Sequence, residues 1–242
     1  MRFVAALIAG ASAAALLAGW LGALHPAGDS FAVFRREFVI LLALAVLWTG
    51  WPGLLRWGVV GGAIVWLGAF VWSSRPDAQG QADLVVYQQN MLFSRDRTAA
   101  WLDAVRAADP DVLTLQEVGA DNLRALAPLR GDYPYSLYCP LDPMGEMVLS
   151  RHRMIQGFCS GRDGFAAMQI DSPAGPVWVL SVHLNWPWPH RQAMQVGQII
   201  PDMAPIEGKV VVAGDFNAVA WSHTLSRTSR RLAVQRLGPL MH

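Results

Sequence analysis

Val210-Val211-Val212-Ala213-Gly214-Asp215-Phe216-Asn217 is the stretch from which the rest of the chain can be read. A β-branched run favours extended backbone. Here it runs into a glycine turn that presents a carboxylate and a carboxamide two residues apart. Residues at i and i+2 of an extended segment share a face, so Asp215 and Asn217 are candidates to act on one substrate. A carboxylate can orient or deprotonate a water, and an amide can hold a developing oxyanion. The alternative is an Asx-type turn that simply closes a strand.

Three further segments repeat the pattern. Leu84-Val85-Val86-Tyr87-Gln88-Gln89-Asn90 reads as a strand ending in Asn90. Asp111-Val112-Leu113-Thr114-Leu115-Gln116-Glu117 reads as a strand ending in Glu117, and Val177 to Leu184 as a strand carrying His183 near its tip. Taken singly, Asn90 can be a turn residue, Glu117 a solvated strand end and His183 a hydrogen-bonded core histidine. Four apolar strands that each deliver one polar group at the tip are how a sheet assembles a site along one edge.

In that order, Asn90, Leu-Gln-Glu117, Ser-Val-His183-Leu and Gly-Asp215-Phe-Asn217 resemble the endonuclease/exonuclease/phosphatase superfamily over about residues 82 to 225. Pancreatic-type deoxyribonucleases, abasic-site endonucleases, neutral sphingomyelinases and inositol phosphatases are among its members. Gly145 through Leu149-Ser150-Arg151, and Trp221-Ser222 after the Asp-Phe-Asn motif, also match its pattern. The resemblance implies an α/β fold, a four-layer α-β-β-α sandwich of two stacked mixed sheets flanked by helices. It implies metal-assisted phosphodiester or phosphomonoester hydrolysis, with Mg²⁺, or alternatively Mn²⁺, held by Glu117 and Asn90. Asp215 would activate the attacking water, Asn217 would bind a phosphate oxygen, and His183 would donate a hydrogen bond or proton on the phosphate side. The expected substrate is a lipid headgroup or a nucleic acid.

The family pattern closes on a strand with an Asp-His pair. This sequence has no Asp-His dipeptide, and 25 residues follow Asn217. The expectation is a domain incomplete at its C-terminus, with a catalytically inactive, membrane-bound binding module as the rival reading. His223 and His242 do not follow an aspartate and are poor substitutes.

The first third is different material. Residues 3–24, 38–55 and 57–72 are uncharged apolar runs, close to the 17–25 residues that cross a bilayer. They contribute most of the positive mean hydropathy, and six of the eleven tryptophans precede residue 73, as befits interfacial anchors. Arg2 before an alanine-rich run is also how a signal peptide begins, but the run is long and two others follow. The 24–35 stretch resembles that of bacterial members carrying a three-span anchor. The expected organisation is a transmembrane anchor at 1–72, a linker at 73–81 and the hydrolase-type domain at 82–242. That makes a multi-pass protein of the bacterial inner membrane, with the bilayer as partner. Arg2 and Arg56 on one side against Arg35, Arg36 and Arg75 on the other decide little about orientation. The lean is to a domain facing the periplasm or exterior.

Beyond residue 82, helices are expected over 98–108, 120–129 and 190–202, with short strands near 145–150, 153–159, 165–171 and 176–183. Asn185-Trp186-Pro187-Trp188-Pro189-His190 is a stiff aromatic loop that either dips into lipid, stacks on a base, or packs on its own domain. His190 and Arg191 are open to a phosphate contact or to a solvated helix start, and His152 reads as a surface residue. From residue 82 onward 14 basic side chains face 15 acidic ones, which argues against the basic face of a non-specific nucleic-acid binder. Cys139 and Cys159 are open to either a disulfide or two thiols.

Overall fold

Apolar residues on both faces of consecutive short strands put the sheets of this protein in its interior. The structure, a computed structural model, describes residues 1–73, 75, 82–92 and 98–236. The first sheet has the order β1-β2-β4-β3, from β1 (Val86–Asn90), β2 (Val112–Gln116), β3 (Tyr135–Leu141) and β4 (Met144–Ser150). The second has the order β5-β6-β7-β8, from β5 (Met154–Cys159), β6 (Phe165–Ser172), β7 (Gly175–His183) and β8 (Lys209–Asp215). Strand β1 runs parallel to β2, and β7 parallel to β8, while the other neighbours are antiparallel.

Side chains alternate across each strand, and the alternation sorts the core into layers. Val112 on β2 and Val177 and Val179 on β7 meet Val148, Met168 and Ile170 between the sheets. Their neighbours Leu113 and Leu115 face outward onto Trp101, Leu102 and Val105 of helix α5 (Thr98–Ala108). On the far side, Trp178 and Leu180 face Val196 and Ile199 of helix α7 (Gln192–Asp202), with Leu232 of helix α8 (His223–Leu232). Burying each such side chain is worth about 1.5–3 kcal/mol. The expected layering of helix, sheet, sheet, helix is therefore present. Helix α6 (Ala120–Ala125) ends earlier than expected and passes into a 3-10 turn at Ala127–Leu129. Cys139 on β3 and Cys159 on β5 form a disulfide that joins one sheet to the other.

The amino-terminal third departs from three spans. Helices run α1 (Arg2–Ala18), α2 (Ala27–Val33), α3 (Arg35–Leu47) and α4 (Gly53–Ser73). Among the described residues only α4, 21 residues long, is long and apolar enough to cross a membrane. At about 1.5 Å per residue, a 30 Å core needs roughly 20 residues, and α1 has 17 and α3 has 13. The uncharged runs concealed the breaks. A 3-10 turn at Leu21–Ala23 follows Gly19, and Gly50 and Pro52 interrupt the chain between α3 and α4. Most of the expected 73–81 linker, residues 74 and 76–81, lies outside the described residues.

Candidate active site

Four strand ends converge where the two sheets stack. β1 ends on Asn90, and its pairing with β2 places Asn90 beside Gln116, one residue before Glu117. His183 closes β7 directly opposite Asp215 at the end of β8. These are the carboxyl ends of two parallel strand pairs, where α/β folds gather ligand-binding groups. Gly214 is required for that register, because a Cβ there would stand 1.9 Å from the Val182 carbonyl oxygen.

The structure brings together Asn90, Glu117, His183 and Asp215. The Asn90 amide nitrogen donates to Glu117 Oε1 and to Asp215 Oδ2, both at 2.9 Å, while its oxygen accepts from the Leu92 N–H. His183 Nε2 lies 3.6 Å from Glu117 Oε1, and Nδ1 lies 3.7 Å from Glu146 Oε1. Glu117 and Asn217 both adopt left-handed backbone, with φ of 52° and 44°. Such conformations in non-glycine residues cost of order 1–3 kcal/mol and persist where the surroundings enforce them.

Asn217 is placed differently from the sequence expectation. Strand β8 stops at Asp215, so the shared-face argument for residues two apart does not apply. Instead Asp215 Oδ1 accepts from the Asn217 N–H at 3.1 Å, an Asx-type turn. One N–H of the Asn217 side chain goes to the Leu184 carbonyl at 2.8 Å, which leaves its second N–H uncommitted to that bond.

Charge dominates the electrostatics. Burial pulls the His183 pKa down, but Glu146 first and then Asp215 and Glu117 outweigh it and hold the imidazole above its ordinary value. Asp163 is pushed up by desolvation and by Glu146. Glu117, His183 and Asp215 present ligand atoms all within 4.8 Å of one another. Three carboxylates around one imidazole, with Glu146 Oε1 buried and without a hydrogen-bond partner, suit a divalent cation in charge and in donor type. A cleft of about 610 Å³ opens over Asn90, Asp215 and Asn217.

Several supporting residues escaped the sequence reading. Glu146, next to the Gly145 already noted, is buried on β4 and faces His183. Gln116 and Ser181, both buried, bridge the sheets beneath the site, with Gln116 Nε2 donating to Ser181 Oγ at 2.8 Å. On α7, Gln192 donates to the carbonyls of Asn185, Phe216 and Asn217, and Gln195 donates to that of His183. The available signal was polar residues inside apolar segments, which are costly to bury unless paired.

The sequence model of the Endonuclease/Exonuclease/phosphatase family matches residues 87–238. Among solved structures, the human Nocturnin catalytic domain superposes with a TM-score of 0.51 at 19% identity, over 60% of this chain and 68% of that one. Humanized D. rerio TDP2 carrying 14 mutations superposes with a TM-score of 0.50 at 15% identity, over 61% of this chain and 67% of that one. An endonuclease/exonuclease/phosphatase from Beutenbergia cavernae gives 0.48 at 19% identity, covering 61% of this chain and 52% of that one. The chain thus spans about half to two thirds of the length of these structures. At such identities the likeness is one of fold. No curated protein matches the chain.

Proposed function

Because the chain belongs to the endonuclease/exonuclease/phosphatase family, we propose that it is a membrane-held, divalent-metal-dependent phosphodiesterase. Members of this family are metal-dependent phosphodiesterases and nucleases. The observation that carries the reading is the Glu117–His183–Asp215 cluster at the carboxyl ends of β2, β7 and β8.

In this reading Glu117 holds the ion, with the Asn90 side chain beside it, and the ion is Mg²⁺ or Mn²⁺. When bound, the metal neutralises charge on the phosphoryl oxygens. Asp215, already fixed by Asn90 and by the Asn217 N–H, orients the attacking water and takes its proton. His183, whose charged form is favoured by Glu146 against the opposing effect of burial, donates to the phosphate as charge builds. The second N–H of Asn217 donates to another phosphate oxygen.

Membrane attachment is supported by the exposed apolar surface. Leu54 is 91% and Val65 73% exposed on α4, and an uncovered apolar face of that extent calls for lipid or a partner. The Cys139–Cys159 disulfide supports a domain on the oxidising, periplasmic or exterior side. The balanced charge beyond residue 82 favours a lipid phosphodiester over a nucleic acid.

The test is hydrolysis of bis(4-nitrophenyl) phosphate by the purified full chain in detergent, with Mg²⁺, with Mn²⁺ and with EDTA. Metal-dependent turnover that is lost in Glu117→Ala and Asp215→Ala is expected. Equal turnover in wild type and both variants would remove the mechanism, and none in wild type would leave a binding module.

A further inference from the structure

We propose that the α2–α3 junction of the apolar region is a wall of the catalytic cleft, where Phe34 and Arg36 receive a glycerophospholipid whose phosphodiester reaches Asp215. The proposal rests on the phosphodiesterase reading above and adds the residues that select the substrate.

The junction is locked to the catalytic domain. Asp29 on α2 is buried, and its two carboxylate oxygens accept the backbone N–H groups of His223 at 2.7 Å and Thr224 at 2.9 Å. These are orphan donors of the first turn of α8, and an anion there is also favoured by the helix dipole. The Trp221 indole donates to the Ala32 carbonyl at 2.9 Å. Arg35 is buried, with its guanidinium 4.4 Å from the Trp20 ring centroid and 5.6 Å from that of Trp221. Breaking any of these contacts strands a buried polar group, so the junction keeps its place.

That place is the mouth of the site. The cleft over Asn90, Asp215 and Asn217 is also lined by Phe34, Arg36, Glu37 and Trp186. A substrate seated on Asp215 and Asn217 therefore lies against a segment that lies far outside the matched family domain in sequence.

The lining chemistry matches a phospholipid better than a nucleic acid. Phe34 is 54% and Trp186 62% exposed, and both offer apolar surface to a glycerol or the start of an acyl chain. Arg36 offers the cation for a phosphate and is paired with Glu37 at 2.6 Å. One compensated cation beside two aromatics is not the run of cations that a polyanionic strand needs. The apolar surface also continues along α3, where Ile40, Leu41 and Leu44 are exposed. A lipid can enter along α3 without its tails leaving an apolar environment.

The experiment compares the full chain with Phe34→Ala, Arg36→Ala and Arg36→Lys on two substrates. One is dioleoylphosphatidylethanolamine in mixed micelles and the other is soluble bis(4-nitrophenyl) phosphate. The ratio of kcat/KM for lipid to that for the soluble ester should fall about tenfold in both alanine variants and recover in Arg36→Lys. Ratios unchanged from wild type overturn the proposal. So does a wild-type enzyme that cleaves the soluble ester and single-stranded DNA but not the lipid, although the phosphodiesterase reading then survives. A second readout needs no turnover. In metal-free protein, a thiol introduced by Phe34→Cys should be shielded from maleimide by dihexanoylphosphatidylethanolamine and not by inorganic phosphate. Absence of shielding overturns the proposal even if no substrate is turned over.

Discussion

The carboxamide of Gln116 donates to the hydroxyl of Ser181 at 2.8 Å, across the gap between the two sheets and one residue ahead of Glu117. The Ser181 hydroxyl in turn donates to the Leu115 carbonyl at 2.9 Å, and Gln88 donates to Gln116 Oε1 at 2.6 Å. The bonds run in one line from Gln88 to the Leu115 carbonyl, and each member supports the next. Ser181→Ala leaves the Gln116 N–H without its partner and should cost about 1–3 kcal/mol. Urea unfolding followed by tryptophan fluorescence checks this, and a cost near zero would show that the bridge contributes nothing.

Glu117→Gln should remove metal binding while the sheets stay intact. Wild type at about one hundred times its metal Kd should gain about 2.7 kcal/mol of stability. The variant should gain nothing on titration with Mg²⁺ or Mn²⁺. A metal-dependent rise in Tm that survives in the variant would move the site away from the Glu117–His183–Asp215 cluster.

Asp163→Asn should stabilise the protein at neutral and alkaline pH. Desolvation, then Glu146, hold the Asp163 carboxyl above its ordinary value of 3.8, and its Oδ1 is buried without a hydrogen-bond partner. A raised folded-state pKa means the folded protein binds this proton more tightly than the unfolded chain. Its contribution is therefore fully present below the ordinary value and is lost as pH rises through the raised one. Asparagine never ionises, so its Tm should exceed that of wild type by about 2 °C or more at pH 8. The gap should close near pH 3. A variant less stable than wild type at pH 8 contradicts the assignment.

Cys139→Ser should weaken the packing of one sheet on the other. The bond joins β3 to β5 across a sequence separation of 20. A closed loop of that size is worth about 3 kcal/mol through the unfolded chain. Thiol trapping of cell extracts should also find the pair oxidised. Two free thiols in the native protein would remove both the stability prediction and the support for an oxidising compartment.

Much of the fold was legible because strands of this kind carry their own signal. Val112 to Leu115 and Val177 to Leu180 are β-branched or apolar on both faces, as strands buried between layers must be. Strand β3, Tyr135–Leu141, was not legible. It is an edge strand with a partly exposed pattern and Pro140 near its end, and edge strands need less apolar surface. Helix α8 was not legible either, because only Leu225 and Leu232 are strongly apolar in His223–Leu232. Its amino-terminal donors are met by Asp29, 194 and 195 residues away in sequence.

The candidate groups of the site, Glu146 excepted, were legible in the sequence alone. Asn90, Glu117, His183 and Asp215 each stand at the tip of an apolar run, and a strand tip has no other place to put a polar group than the sheet's edge. Tertiary structure alone decided their company. Asn90 meets Asp215 across 125 residues, Glu146 comes to His183 from the other sheet, and Phe34 and Arg36 line the cleft. Local propensity acts over a few residues, whereas these neighbours are set by the stacking of two sheets and the docking of α2. No window of sequence contains the free energy of either.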